Sequence, residues 1–142
     1  MSAWAVPDTL RQRVRTAAGN RCGYCHSHQQ YVMGRLEIEH IIPRARGGSD
    51  DETNLWLSCS LCNRYKGSQT TGIDPHTRIT VSLFNPRTQI WRDHFRWRPD
   101  GVIILGTTSV GRATVEALQL NNELAVEVRR NWVLAGWHPP ED

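Results

Sequence analysis

An α+β fold is predicted by three observations. Two Cys-x-x-Cys pairs, Cys22/Cys25 and Cys59/Cys62, stand 33 residues apart. Short stretches alternate apolar and polar residues, the mark of half-buried strands. Several further stretches carry helical spacing with capping signals at their ends. The cysteines matter most, because two such pairs supply four thiolates, enough to close a tetrahedral structural zinc site with no position left open for catalysis. No cysteine remains outside the two pairs.

The elements follow in order. Pro7 and Asp8 open a helix that runs through Ala18, with Leu10, Val14 and Ala17/Ala18 on one face, and Gly19-Asn20 end it. Cys22-Gly23-Tyr24-Cys25 is a tight knuckle whose geometry calls for a small residue between the ligands. Residues 26–34 read as polar loop, with His26 and His28 as loop residues rather than ligands. Leu36 to His40 alternates as a strand, which puts Glu37 and Glu39 on one face and Leu36, Ile38 and His40 on the other. Pro43 to Glu52 is loop with Gly47-Gly48 at its tip, and Asp50, Asp51 and Glu52 read as a solvated acidic run. A second strand leads into Cys59, and a short helix over Asn63 to Lys66 follows, ending near Gly67.

Residues 73–142 are expected to form an extension to a core spanning 1–72. Arg78 to Phe84 reads as a strand and Asn85-Pro86-Arg87-Thr88 as a turn. Trp91 to Trp97 alternates strictly, which predicts a strand with a basic face of Arg92, His94, Arg96 and Arg98. Asp100-Gly101 signals a hairpin before Val102 to Leu105. Two helices close the chain: one from Val110 to Leu120 capped by Thr108 or Ser109, one from Glu123 to Ala135 capped by Asn121 or Asn122 and ended by Gly136.

Composition narrows the function classes. Net charge is +3, and Lys66 is the sole lysine beside sixteen arginines. Arginine forks onto phosphate, which suits a nucleic-acid partner, although a GC-rich genome gives the same bias. No apolar run approaches the roughly 18 residues of a membrane span, and the opening MSAWAVPDTLRQRVR lacks the apolar core of a secretory leader. A cytoplasmic setting without membrane attachment is the expectation, and a reducing compartment favours zinc over disulfides.

Between and beside the cysteine pairs stand Glu39-His40, Asn54 and Asn63, residue types that serve a hydrolytic site with a hard divalent ion. The order Glu-x-Glu-His-Ile-Ile-Pro-x-x-x-Gly-Gly, then Asn-Leu, then Cys-x-x-Cys-Asn-x-x-Lys-Gly resembles the HNH endonuclease motif over about residues 20–68. The resemblance implies a ββα-metal, treble-clef-like finger tied by zinc at Cys22, Cys25, Cys59 and Cys62; the residue patterns outside it add an N-terminal helix and a C-terminal extension of a β-hairpin and helices. It implies His40 as the general base, Asn54 as the residue that orients it and steadies the loop, and Glu39 with Asn63 as ligands of a catalytic Mg2+ or Mn2+. Asn63 stands where many members have a last histidine, so this is an H-N-N variant. Glu37 is a second ligand or a hairpin ion-pair partner. Arg44, Arg46, Arg64 and Lys66 flank the site as candidate phosphate contacts. The expected function is a metal-dependent nuclease acting on DNA by nicking or cleavage, as a monomer or a homodimer. The alternatives are an RNA-directed nuclease and a non-catalytic zinc-stabilised nucleic-acid-binding module.

Overall fold

The structure, a computed structural model, describes residues 6–140; the first five and last two residues of the expected ranges lie outside it. Pro7 holds an extended conformation ahead of Asp8–Ala17, which forms α1 with an acid in its first turn and Arg15 in its last, matching the helix dipole. The face of α1 that carries Leu10 and Val14 packs with Val6, Leu55 and Ile38. Each large aliphatic side chain so buried contributes about 1.5–3 kcal/mol.

Glu37–His40 forms β1 and Leu55–Ser58 forms β2. They pair antiparallel with Glu37 opposite Ser58 and His40 opposite Leu55. The next helix, α2, is Ser60–Lys66, so it starts inside the second cysteine pair rather than at Asn63. The physical reason is the cap: Cys59 Sγ accepts from the Cys62 N–H at 3.4 Å, which serves an otherwise orphaned amide of the first turn. Residues 26–34 and the Pro43 to Glu52 loop are not wholly irregular, since short 3-10 turns form at Gln29–Tyr31, Arg44–Arg46 and Glu52–Asn54.

The described residues fall into two compact units. One holds the chain up to Thr70 together with Asn85–Thr88; the other holds Thr71–Phe84 and the chain from Gln89 onward. In the first, Asn85 Oδ1 accepts from the Arg87 N–H at 2.9 Å to form the turn that the Asn-Pro-Arg-Thr run predicts. Arg87 then donates to the Leu55 carbonyl at 3.1 Å, and its guanidinium lies 5.0 Å over the Trp56 ring.

The second unit contains two hairpins and three helical segments. Thr71–Ile73 (β3) pairs with Thr80–Ser82 (β4), so the strand expected from Arg78 is shorter and has a partner that three residues were too few to reveal. The strand expected over Trp91 to Trp97 is corrected. Its first half is a helical turn, α3 at Trp91–His94, and only Phe95–Trp97 (β5) is extended, paired with Ile104–Gly106 (β6). Trp91 and Phe95 are four apart, a helical neighbour spacing as well as an alternating one, and their rings stack with centroids 5.1 Å apart. The single-faced basic ridge therefore does not form: His94 Nδ1 bonds Thr108 Oγ1 at 2.7 Å and Arg98 pairs with Asp100.

Thr108 caps α4 (Ser109–Ala117) by accepting from Gly111 N–H, and Asn122 caps α5 (Glu123–Leu134) by accepting from Ala125 N–H. Asn121 brackets the Ile104 backbone instead, through both its amide atoms at 2.8 Å. The buried Asp74 receives a bidentate Arg112 guanidinium, both bonds at 2.9 Å, and its carboxyl is held well below the usual range chiefly by that pair. A depressed folded value means that the stabilisation is complete above the unfolded value of about 3.9 and is lost as pH falls through the lower folded one. Arg112→Met should therefore lower the melting temperature at neutral pH. The gap to the native chain should close on strong acidification, as thermal melts across that range would read. A gap unchanged by acid would contradict this.

Candidate metal centre and hydrolytic site

The four cysteines converge. Their sulfur atoms all lie within 4.8 Å of one another, and Cys25 Sγ is 3.7 Å from Cys59 Sγ. A tetrahedron with Zn–S near 2.3 Å has sulfurs about 3.8 Å apart, so the cluster has the size of a zinc site. The thiols are free of disulfide bonds. Burial pushes the Cys22 thiol well up, whereas hydrogen bonds from the other thiols, that of Cys22 first, draw the Cys25 thiol well down. Among the described residues this is the one group of three or more His, Cys, Asp or Glu that could hold an ion. His28 serves elsewhere, capping the turn at Gln29 through Nδ1.

The reason for glycine between the first cysteines is now visible. A Cβ on Gly23 would lie 2.4 Å from Trp56 Cδ1 and 2.6 Å from Pro86 Cβ. The knuckle thus sits flush on β2, bound by the Gly23 N–H to the Leu57 carbonyl at 2.9 Å.

Tyr24, from the same knuckle, links the cysteine cluster to β1. It is fully buried, and its hydroxyl lies 2.8 and 3.0 Å from the two oxygens of Glu39. Lys66 of α2 approaches Glu39 Oε1 at 2.9 Å and donates to the carbonyls of Ile41 (2.9 Å) and His40 (3.3 Å). Glu39 and Lys66 are 1% and 2% exposed. Burial raises the Glu39 carboxyl, and Lys66 and Tyr24 oppose that rise. One turn earlier on α2, Asn63 Nδ2 donates to Glu37 Oε1 at 2.8 Å near the surface. The β1 face carrying Glu37 and Glu39 is thus matched rung by rung to Asn63 and Lys66.

Lys66 is therefore engaged inside the unit rather than facing a phosphate. Its removal should be severe. Lys66→Met leaves a buried carboxylate without its counter-charge and should cost about 3–5 kcal/mol in denaturant unfolding. A loss below 1 kcal/mol would show that Glu39 is reached by water.

His40 ends β1, with its side chain 16% exposed, and its Nε2 lies 2.7 Å from Asp50 Oδ1. Asp50 also takes Arg44 Nε at 3.0 Å and Nη2 at 2.7 Å on that same oxygen. Its carboxyl is held below the usual range by His40 first and Arg44 second. The acid expected to be solvated is thus the neighbour of the histidine, and Arg44 turns toward it. Asn54, 9% exposed, uses its side chain on the loop: it accepts from Ile42 N–H (2.8 Å) and donates to the carbonyls of Ile42 (3.0 Å) and Ser49 (2.8 Å). Of the remaining basic candidates, Arg64 is exposed and Arg46, also exposed, donates to the Ser68 carbonyl.

Residues missed from the sequence are Tyr24, hidden as a knuckle filler, and Asp50, hidden in a run of acids. The oxygen-rich set Glu37, Glu39 and Asn63 has the donor chemistry of a hard divalent ion. In the structure, however, Lys66 and Tyr24 occupy the oxygens of Glu39.

Residues 22–69 match the HNH endonuclease family model, and over that stretch the chain carries an HNH endonuclease domain. A domain of this family points to nuclease chemistry. The chain is also similar to the Septu protein PtuB of Bacillus thuringiensis, 25% identical over 122 residues that cover 84% of this chain and 44% of that protein. It thus spans less than half the length of the relative it matches. No solved structure matches. No helix of the described residues is long and apolar enough to cross a membrane.

Proposed function

We propose that the chain is a metal-dependent HNH endonuclease that hydrolyses phosphodiester bonds in DNA, with residues 1–72 as its nuclease core and 73–142 as an extension. The observation that carries the reading is the placement of His40 at the end of β1, partly exposed, on a β1–β2–α2 element backed by the four-cysteine cluster. That order and pairing support a zinc-tied ββα-metal finger. An imidazole is the side chain suited to take a proton from water near neutral pH. His40 takes the proton of a water whose oxygen bonds to phosphorus while the bond to the leaving sugar oxygen breaks, and that oxygen collects a proton from solvent. A Mg2+ or Mn2+ ion at Glu39 and Asn63 would supply positive charge against the charge that develops on the phosphate. Arg64 and Arg46 are the exposed cations near α2 and the loop that suit backbone phosphates.

One observation favours the non-catalytic nucleic-acid-binding module: Glu39 is closed off by Lys66 and Tyr24. The two readings, and the RNA-directed variant, separate in one assay. Zinc-loaded protein is incubated with supercoiled plasmid DNA and with structured RNA, in magnesium or manganese, with and without EDTA. Ion-dependent loss of supercoiled DNA is expected. Cutting of RNA alone moves the substrate assignment, and cutting of neither under any divalent ion gives the binding module.

A further inference from the structure

From the loop that follows β1 we infer that Asp50 is a positioning residue for His40, holding the imidazole in the tautomer that carries its proton on Nε2 and leaves Nδ1 to accept the proton of water. The inference rests on the reading of His40 as the base. Asp50 Oδ1 lies 2.7 Å from His40 Nε2, and the same oxygen accepts two N–H groups of Arg44. An oxygen that accepts a guanidinium twice carries no proton of its own. It can only accept from the ring, so Nε2 must be the donor. In the neutral ring the lone pair then sits on Nδ1.

The loop is built to keep Asp50 there. Asn54 Nδ2 ties down the Ser49 carbonyl, immediately before Asp50, and clamps Ile42 at the other end of the loop through both amide atoms. Gly48 N–H bonds the Pro43 carbonyl at 3.0 Å, and a Cβ on Gly48 would lie 1.7 Å from the Ile42 carbonyl oxygen. Only glycine lets the loop fold back this tightly. Asn54 thus acts on His40 at one remove: the amide fixes the loop, the loop fixes Asp50, and Asp50 fixes the ring. Arg44 has a second part, balancing a charge that would otherwise lean on an anionic substrate.

The test uses the zinc-loaded full chain and two readouts. Nitrogen NMR of the imidazoles, in mildly alkaline buffer without a divalent ion, should show His40 as the Nε2–H tautomer, and Asp50→Ala should convert it to a mixture or to Nδ1–H. In plasmid cleavage Asp50→Ala should lower kcat about ten- to hundredfold, the range of partners that orient a working histidine, with KM for DNA unchanged. Asp50→Asn, which keeps an acceptor oxygen facing Arg44 and the ring, should recover most of that loss. An Nδ1–H tautomer in the native chain overturns the inference, as does an Asp50→Ala variant that folds, holds zinc and turns over at the native rate. If that variant fails to fold, the tautomer of the native chain decides. A native chain that cuts no nucleic acid overturns the nuclease reading instead, and the tautomer measurement then reports on Asp50 alone.

Discussion

His40→Ala should lower the rate of plasmid cleavage by a general-base factor of about 100- to 10,000-fold, with zinc content and folding intact. The imidazole stands at the end of β1 with 16% of its side chain exposed, and its hydrogen bond goes to Asp50 on the following loop. Removing it orphans no buried charged partner, because Asp50 keeps Arg44. The change should therefore register in kcat and leave folding alone. That separation is the strength of the variant. A residue buried for structure alone would lower stability and activity together. Cleavage by His40→Ala at the native rate in magnesium would mean that another group activates the water.

Cys59→Ser should have the opposite profile and the largest effect on stability. Structural zinc supplies apparent binding free energies of about 10–16 kcal/mol in small finger domains, as much as a whole domain's stability. The first unit has a small aliphatic core around Val14 and Leu55, and its knuckle, β1 and α2 meet through the cysteines and through the Tyr24–Glu39–Lys66 cluster. Serine at 59 can still cap α2 with its hydroxyl, so lost capping is not the cause of the collapse. The variant should lose its metal, as atomic emission reads, and much of its helical circular dichroism. Retention of a full zinc equivalent and of the native melting temperature would contradict a four-thiolate site. A strong chelator should reproduce the variant's behaviour in the native chain.

The parts of the fold that were legible in the sequence are those written in local chemistry. The cysteine spacing, the caps at Thr108 and Asn122, the Asp100-Gly101 turn and the alternation at Leu36 to His40 each reflect neighbours in the chain. What stayed hidden depends on which element covers which. Alternation put Glu37 and Glu39 on one face, yet only the packing of α2 and the first knuckle makes Glu39 buried and leaves Glu37 near the surface. Trp91 to Trp97 fits two periods at once, and the packing of Phe84, Trp91 and Phe95 selects a helical turn for its first half. Asp50 lay in a run of acids whose composition points to solvent; its partner is ten residues back, across a loop that glycine and asparagine fold shut. The candidate site shows the same division. His40 and the cysteines stood out by motif, whereas Tyr24, Lys66 and Asp50 gain their parts through contacts that no local pattern encodes.

These contacts also explain how one short stretch can hold two kinds of chemistry without mixing them. The sulfur atoms meet one another, the Ser27 hydroxyl and the backbone N–H groups of Tyr24 and Cys62. Oxygen donors face α2, and Tyr24, which stands between the first two cysteines, bonds both oxygens of Glu39 through its hydroxyl.

The most direct test of the central claim, that His40 activates a water against a phosphodiester, is cleavage of supercoiled plasmid by zinc-loaded protein in heavy-oxygen water with magnesium. Mass spectrometry of the cut ends should find one solvent oxygen on each new terminal phosphate, and His40→Ala should form such ends about 100- to 10,000-fold more slowly. Cut ends without the heavy oxygen, or labelled ends formed by His40→Ala at the native rate, would contradict it.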